Sequence, residues 1–361
     1  MQQFRFHSLG LPHTVSSTEY NACAFTQKIV KFSKMMLPRG HEIIHYGHEK
    51  SDLLYTEHIT VTDDNVLKKA YGEHNYKKKE IPFTETDYAH TTFTEKTIEE
   101  IKKRIKPNDF VLCWWGHGHR QIADEAEKLG GIVVEPGIGY PGQCFSKWRA
   151  YESHCIRNSK EGNDIPQNWY SWVIPNYFDD NDFEYSKKKS DYFLFIGRIN
   201  RCKGVHTIIE ATRKANVKLK LSGQGSLFDM GYDKIPDHCE FLGYSDIEQR
   251  KKLMSKAKAL IIASEYAEPF AGVQVEALLS GTPVIAPYYG AFAEILKDGK
   301  TGFLCHNFRE YVNAIKSVDK INPKSCRKTG MKYTLDAVAP QYEKWFAAIM
   351  EVYTGEGWLS L

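Results

Sequence analysis

Two carboxylates flank a predicted helix start in the C-terminal half of the chain. Glu268 and Glu276 are about two turns apart at roughly 3.6 residues per turn. Pro269 fits the first turn of a helix, where its missing N–H costs nothing, and Gly281 fits the position that closes one. The unpaired N–H groups of a helix start bind anions. The stretch 265–281 therefore predicts a phosphate site with hydroxyl groups bound on either side.

Two cations lie in an earlier turn between a predicted strand and a predicted helix. Arg198 and Lys203 occupy the loop 197–204, where Gly197 and Gly204 leave the backbone open to a ligand. Guanidinium and ammonium groups bind phosphate oxygens through charge-assisted hydrogen bonds. We therefore expect this loop to bind a diphosphate.

The N-terminal half carries candidate side chains at the ends of predicted strands. Ligands of parallel α/β sheets bind beyond the carboxyl ends of the strands. A glutamate or histidine there can orient a hydroxyl or act as a base, and an aromatic ring can stack on a sugar. Each position also admits a purely structural interpretation, as a turn glycine or a hydrogen-bonded core side chain. The candidates are Gly10, His13, Trp115, His117, His119, Glu135 and Tyr140.

Alternating strands and helices must position these residues. The predicted strands are 4–9, 41–46, 109–115, 131–134, 169–174, 192–196, 217–221, 259–263 and 283–286. The predicted helices are 20–36, with a cap from Ser16, Ser17 or Thr18, and then 121–129, 145–157, 205–214, 247–257 and 342–353. This alternation predicts α/β domains with parallel sheets and right-handed crossovers. Residues 50–100 are polar with weak periodicity, and the run 77–80 is expected to be a solvated face or, alternatively, an acceptor-binding segment.

Length and composition limit the class of protein. A chain of 361 residues suits two domains, and 42% apolar with 26% charged residues is ordinary for a globular protein. The net charge of +3 does not by itself predict a nucleic-acid binder. The eight cysteines lack C-x-x-C spacing and predict buried free thiols. Without a signal-like segment or an apolar run of about 18 residues, we expect a cytoplasmic protein.

Taken together, the motifs of the C-terminal half resemble one family. They cover roughly residues 190–305 and stand in the family's order: Phe195-Ile-Gly-Arg198, Lys203-Gly204, Ser222-Gly-Gln-Gly225, Phe241-Leu-Gly243, Glu268-Pro-Phe-Ala-Gly-Val-Gln-Val-Glu276, Gly281-Thr-Pro-Val-Ile285 and Gly302-Phe-Leu304. The chain is similar to the retaining glycosyltransferases of the GT-B fold, known as glycosyl transferases group 1 or glycosyltransferase family 4.

The resemblance implies two Rossmann-like domains facing across a cleft and a nucleotide-diphosphate sugar as co-substrate, with no metal and no other cofactor. It implies that Arg198 and Lys203 neutralise the diphosphate, that Glu268 binds the donor sugar and that Glu276 binds the ribose. The implied donor-binding residues are Gly10, Gly197, Arg198, Lys203, Gly223, Gly243, Glu268, Phe270, Ala271, Gly272, Val273 and Glu276. The expected catalytic residues are Arg198, Lys203, Glu268 and His117. The expected acceptor-binding residues are His13, Trp115, His117, Glu135 and Tyr140.

Two departures from the family pattern concern the phosphate contacts. The expected Phe-Gly pair is interrupted as Phe270-Ala271-Gly272, and the expected early double glycine is only Gly10.

The polar stretch 179–191 predicts the connection between the two domains. The predicted acceptor domain is 1–178 and the predicted donor domain is 179–336, and residues 337–361 are expected to form a helix that packs back on the acceptor domain.

The predicted function is transfer of a sugar, with retained configuration, to an acceptor hydroxyl of a saccharide or glycan. Three alternatives remain open from the sequence. The acceptor could be a hydroxylated DNA base, which an enzyme flips out of the duplex and stacks on aromatic rings. The chain could instead be a nucleotide-sugar epimerase of the GT-B fold, or a binding module without catalysis.

Overall fold

A computed structural model describes residues 2–140, 142–162 and 169–353. The chain divides into two compact units. The first comprises Met1–His74, Ile81–Tyr177 and Val338–Leu361, and the second comprises Asn75–Glu80 and Phe178–Ala337. Each unit contains one sheet whose named strands all pair in parallel, so the predicted α/β class is confirmed.

The strands of the first unit are β1 (Arg5–Leu9), β2 (Glu42–His48), β3 (Glu57–Thr62), β4 (Phe110–Leu112), β5 (Ile132–Ile138), β6 (Trp148–Tyr151) and β7 (Trp172–Val173). Within the described residues they lie in the order β3-β2-β1-β4-β5-β6-β7. The chain moves outward from β1 to β3 and then returns to β4 on the other side of β1. The ends of β1 and β4 therefore flank the point where strand order reverses, which is the usual place for a ligand.

The helices that connect these strands are α1 (Ala24–Met36), α2 (Asp64–Tyr71), α3 (Tyr88–Lys102), α4 (Arg120–Lys128) and α5 (His154–Glu161). The predicted cap of α1 by Ser16, Ser17 or Thr18 is wrong, because the helix starts at Ala24 and Cys23 precedes it without a side-chain cap. The predicted helix 145–157 is wrong up to Ser153, since α5 begins only at His154. Trp148–Tyr151 is a strand, because its large side chains are buried where it pairs with β5.

The second unit holds β8 (Phe193–Ile196), β9 (Leu219–Ser222), β10 (Cys239–Phe241), β11 (Leu260–Ile261), β12 (Val284–Pro287) and β13 (Gly302–Cys305). Their order is β10-β9-β8-β11-β12-β13, so the reversal falls between β8 and β11. The helices are α6 (Val205–Ala215), α7 (Ile247–Lys256), α8 (Gly272–Leu279), α9 (Phe292–Ile295), α10 (Phe308–Ser317) and α11 (Pro323–Gly330). Buried apolar clusters cover both faces of this sheet.

The last helix, α12 (Leu335–Tyr353), packs on the first unit from Val338 onward. The ring centroid of Phe346 lies 4.8 Å from those of Phe6 and Phe110, and all three rings are buried. Glu343 accepts two hydrogen bonds of 2.7 Å from the Arg39 guanidinium. These contacts fix the helix on the strand ends opposite the ligand edge, since Arg39 lies three residues before the start of β2 and Phe6 and Phe110 lie at the starts of β1 and β4.

No helix in the described ranges has both the length and the apolar character needed to cross a bilayer. The prediction that the cysteines are buried is wrong for Cys202, which is exposed, whereas Cys113, Cys305 and Cys326 are buried.

Candidate functional site

Lys203 and Glu268 meet at the reversal point of the second sheet. Lys203 Nζ lies 2.5 Å from Glu268 Oε1, and the Ser264 hydroxyl donates to the same oxygen at 2.7 Å. The Tyr266 hydroxyl is 2.5 Å from Lys203 Nζ. Glu268 follows β11 and Lys203 follows β8, so both side chains stand at the carboxyl edge where ligands of such sheets bind.

Two glycines bring the loops at this edge together. Gly204 adopts a left-handed backbone (φ +65°), and a Cβ there would lie 1.9 Å from the Ala263 carbonyl oxygen. A Cβ on Gly223 would lie 1.7 Å from the Gly197 carbonyl oxygen. Since no larger residue fits at either place, these glycines set the distance between neighbouring strand ends. A Cβ on Gly243, by contrast, would meet open space, although its φ is +68°.

Arg198 is directed to a different partner. Its Nη1 lies 2.8 Å from Glu80 Oε2, in the short segment Asn75–Glu80 that belongs to the second unit. Both side chains are largely solvent-accessible, with 48% of Arg198 and 64% of Glu80 exposed. The sequence does not indicate Glu80 as the partner of Arg198, because the run 77–80 predicts only a solvated face or an acceptor-binding segment.

The start of α8 differs from the prediction. The helix begins at Gly272, so Pro269 lies before it rather than in its first turn. Ala271, the residue before the helix, has φ +55° and ψ +67°, a left-handed conformation that is costly for a residue with a Cβ. The first amides of α8, at Gly272 and Val273, have no partner within the helix by geometry and can bind an anion. Phe270 is 2% exposed, so its ring packs in the core rather than at the surface where a donor would bind.

Glu276 is held by an arginine that sequence analysis did not identify. Glu276 Oε2 accepts hydrogen bonds from Arg250 Nε at 2.8 Å and from Arg250 Nη2 at 2.5 Å. Arg250 lies on α7, whose start is fixed by reciprocal hydrogen bonds between Asp246 and Gln249. Because this contact arises from packing of α7 on α8, no local spacing in the sequence indicates it.

A cluster of aromatic rings lies at the reversal point of the first sheet. The ring of His13 stacks on Phe83 at 4.2 Å and lies 5.4 Å from His90 and 4.9 Å from Trp115. Burial lowers the pKa of His13 to about 3, so this imidazole is neutral near pH 7. Among the described residues, His13 Nδ1, His90 Nε2 and Trp115 Nε1 are buried without a hydrogen-bond partner. Such atoms cost free energy unless something binds them.

Gly10 and His119 have structural contacts in the same region. The Gly10 amide donates to the Tyr46 carbonyl at 2.7 Å, and a Cβ on Gly10 would lie 2.8 Å from that oxygen. His119 is fully buried with Nε2 2.9 Å from the Gly10 carbonyl oxygen, and burial lowers its pKa to about 3. His117 is partly buried, with its ring 5.7 Å from that of Phe145.

Glu135 lies within β5 rather than in a loop. It is fully buried and accepts hydrogen bonds from the amides of Phe145 (3.0 Å) and Ser146 (2.9 Å) and from the Tyr140 hydroxyl. Burial raises the pKa of this carboxyl despite those hydrogen bonds. The group therefore fixes the segment after β5, and Tyr140 is positioned by it.

One group in the described residues has the composition of a metal site. A nitrogen of His48 and carboxylate oxygens of Glu49 and Asp64 lie within 4.8 Å of one another. However, His48 Nδ1 accepts a hydrogen bond from the Lys50 amide at 3.1 Å, which places the ring proton on Nε2, and Lys50 Nζ pairs with Asp64. A protonated His48 Nε2 has no lone pair for a cation, and the Lys50 ammonium group already neutralises Asp64. The group is therefore not assigned as a metal site.

Comparison with known proteins shows a family similarity in part of the chain and a shared fold over nearly all of it. Residues 178–332 match the family described as glycosyl transferases group 1. An uncharacterised glycosyltransferase of Methanocaldococcus jannaschii is 31% identical over 153 residues, which is 40% of this chain and 42% of that protein. The match thus spans less than half the length of this curated relative.

Two solved structures share the whole fold at low identity. AviGT4, a glycosyltransferase involved in avilamycin A biosynthesis, has a TM-score of 0.71 at 17% identity and covers 98% of both chains. Anabaena HepE, solved in complex with UDP and glucose, has a TM-score of 0.67 at 14% identity over 95% of this chain and 99% of its own. The predicted GT-B fold class is confirmed by these likenesses.

Proposed function

Because residues 178–332 match the family described as glycosyl transferases group 1, we propose that this chain transfers a sugar from a nucleotide-diphosphate donor to an acceptor hydroxyl. The contact between Lys203 and Glu268 is the observation that carries this proposal. It places a cation and a carboxylate 2.5 Å apart at the carboxyl edge of a parallel sheet, close in sequence to the start of α8. A diphosphate needs the cation, and the hydroxyls of the attached sugar need the carboxylate.

The proposed chemistry follows from where charge develops. As the bond between the anomeric carbon and the diphosphate oxygen breaks, the sugar gains positive charge and the diphosphate gains negative charge. Lys203, Arg198 and the amides of Gly272 and Val273 stabilise the departing diphosphate more than the intact donor, which lowers the barrier. Glu268 binds the sugar hydroxyls.

The stereochemical course is proposed from the family resemblance. The acceptor oxygen bonds to the anomeric carbon on the face that the diphosphate leaves, and the acceptor proton passes to the leaving phosphate oxygen. The configuration of the anomeric carbon is then retained without a covalent enzyme intermediate. In this scheme Glu268 is a binding group and not a nucleophile.

The ring cluster of the first unit supports an uncharged, hydroxylated acceptor. Although burial acts to raise it, hydrogen bonds from the His90 and Thr84 amides hold the pKa of Asp87 at about 2, so this group is an ionised carboxylate and accepts a hydrogen bond from His90 Nδ1. In the tautomer whose Nδ1 proton is directed at Asp87, His90 Nε2 is an acceptor, whereas Trp115 Nε1 is only a donor. A hydroxyl group satisfies both kinds of atom, whereas a phosphate or carboxylate satisfies the donor alone.

Reaching these nitrogens requires a side-chain movement. All three are covered by neighbouring atoms, and Phe83 lies stacked on His13. We infer that Phe83 moves aside and that a saccharide ring takes its place against His13 and Trp115. A saccharide has both an apolar ring face for stacking and hydroxyls for the three nitrogens.

Thermal denaturation with a panel of nucleotide sugars tests the donor assignment. A ligand that binds the folded chain at about 100 times its Kd stabilises it by about 2.7 kcal/mol. We expect at least one nucleotide sugar to raise the Tm of the natural chain and to have a much smaller effect on Lys203→Ala. If no nucleotide sugar raises the Tm, or if Lys203→Ala responds like the natural chain, the proposed site is incorrect.

A further inference from the structure

We propose that the segment Asn75–Glu80, termed the latch, occupies the diphosphate site through Glu80 and is displaced when the donor binds. This inference rests on the proposed function, because it identifies what competes with the donor for Arg198. It makes donor affinity depend on a residue far in sequence from the family motifs.

The latch contacts residues that follow strands of the second unit. Glu80 Oε2 lies 2.8 Å from Arg198 Nη1, and Gln224 Nε2 donates to the Tyr76 carbonyl oxygen. The partners are 118 and 148 residues away in sequence, so neither contact is a product of local chain geometry. The latch is therefore positioned by the folded unit.

The partners of the latch stand where a ligand is expected. Arg198 follows β8 and Gln224 follows β9, and these two strands are neighbours in the sheet. The latch accordingly crosses the carboxyl ends of two adjacent parallel strands, which is the ligand edge of such sheets. The carboxylate of Glu80 has the same charge sign and the same acceptor geometry toward a guanidinium as a phosphate oxygen pair.

The ion pair between Glu80 and Arg198 is weak enough for a ligand to displace Glu80. An ion pair between two largely exposed side chains contributes little, because water and salt screen it and two flexible chains must be ordered. A diphosphate carries more charge and also reaches Lys203. We therefore expect Glu80 to weaken donor binding only about two- to five-fold, rather than to block it.

Calorimetric titration with UDP measures this competition. Glu80→Gln should bind UDP about two- to five-fold more tightly than the natural chain, while Glu85→Gln, a matched change at an exposed position of the same loop, should bind like the natural chain. In an Arg198→Ala background, Glu80→Gln should give no further gain, because the two residues act through one contact. Equal affinity of Glu80→Gln and the natural chain for UDP would overturn the proposal that the latch competes with the donor.

Hydrogen exchange separates failure of the latch from failure of the proposed function. Amide exchange in residues 75–80 should be faster in Arg198→Ala than in the natural chain, and this comparison needs no nucleotide. If UDP fails to bind but exchange is faster in Arg198→Ala, the chain does not bind this nucleotide, whereas the contact between Glu80 and Arg198 is supported. If exchange in residues 75–80 is the same in both chains, the latch is refuted regardless of nucleotide binding.

Discussion

Lys203 Nζ lies 2.5 Å from Glu268 Oε1, which joins two residues that are 65 positions apart and come from loops after neighbouring strands. Only 18% of the lysine side chain and 9% of the glutamate side chain are exposed. A pair this well covered is only weakly screened by salt. The same two groups would face the diphosphate and the sugar of a bound donor.

Replacing Lys203 should reduce the rate of transfer. In Lys203→Ala we expect a loss of about 10- to 1000-fold at saturating donor, the range typical of removing one electrostatic donor from a transition state. Lys214→Ala, which changes an exposed lysine at the end of α6, serves as the matched control and should retain full activity. Full activity in Lys203→Ala, measured by release of nucleoside diphosphate, would show that Lys203 is not part of the reaction.

Glu276 should act on the ribose. Loss of a hydrogen bond to a charged group costs about 1.5–3 kcal/mol, which corresponds to about 10- to 100-fold in affinity. Glu276→Gln should weaken binding of UDP by that factor but leave the affinity for 2′,3′-dideoxy-UDP nearly unchanged. Titrations with both nucleotides make the comparison. An equal loss for the two would mean that the Arg250 pair supports structure rather than ribose binding.

Ala271 should be a strained position. Left-handed backbone costs a non-glycine residue about 1–2 kcal/mol, and glycine's greater freedom in the unfolded chain offsets about 0.4–1 kcal/mol of the relief. We therefore expect Ala271→Gly to raise the free energy of unfolding by about 0.5–1 kcal/mol in urea titrations. Ala277→Gly, in the interior of α8, should lower the free energy of unfolding by about 1 kcal/mol. A lower stability of Ala271→Gly would contradict the assigned conformation.

Acid should destabilise the first unit through its buried histidines. Burial lowers the pKa of His13 and of His45 to about 3, against an ordinary value of 6.5. Between these values the unfolded chain binds more protons than the folded chain, so stability falls as the pH drops from about 6.5 toward 3, by up to about 1.4 kcal/mol per pH unit for each ring. His45→Asn should reduce the slope of unfolding free energy against pH, whereas His206→Asn, at an exposed position, should not. A flat profile for the natural chain over pH 4.5–7 would refute this explanation.

Sequence reasoning located the elements whose signal is local. The run 192–196 is apolar because β8 is buried on both faces, and the turn glycines at 204 and 223 are needed where backbones approach closely. The sequence does not predict the segments whose secondary structure is determined by tertiary packing. The stretch 145–157 has helix-like spacing, but β6 forms there because its residues pair with β5.

The candidate site shows the same division. Lys203 and Glu268 stand in local motifs beside strand ends, so the sequence alone predicts that they belong to the site. The partners of Arg198 and Glu276 are not predicted, because Glu80 and Arg250 reach them only through long-range packing. The sequence does not indicate Phe83 and His90 either. They lie in the polar region 50–100, which lacks a clear hydrophobic period.

The most direct measurement follows donor and product anomeric protons by NMR while the chain is incubated with a nucleotide-sugar panel, with and without saccharide acceptors. We expect that a nucleotide sugar is consumed only when an acceptor is present, that nucleoside diphosphate is released, and that the new glycoside has the donor's anomeric configuration. Conversion of the donor to its epimer without an acceptor, or a product of inverted configuration, would contradict it.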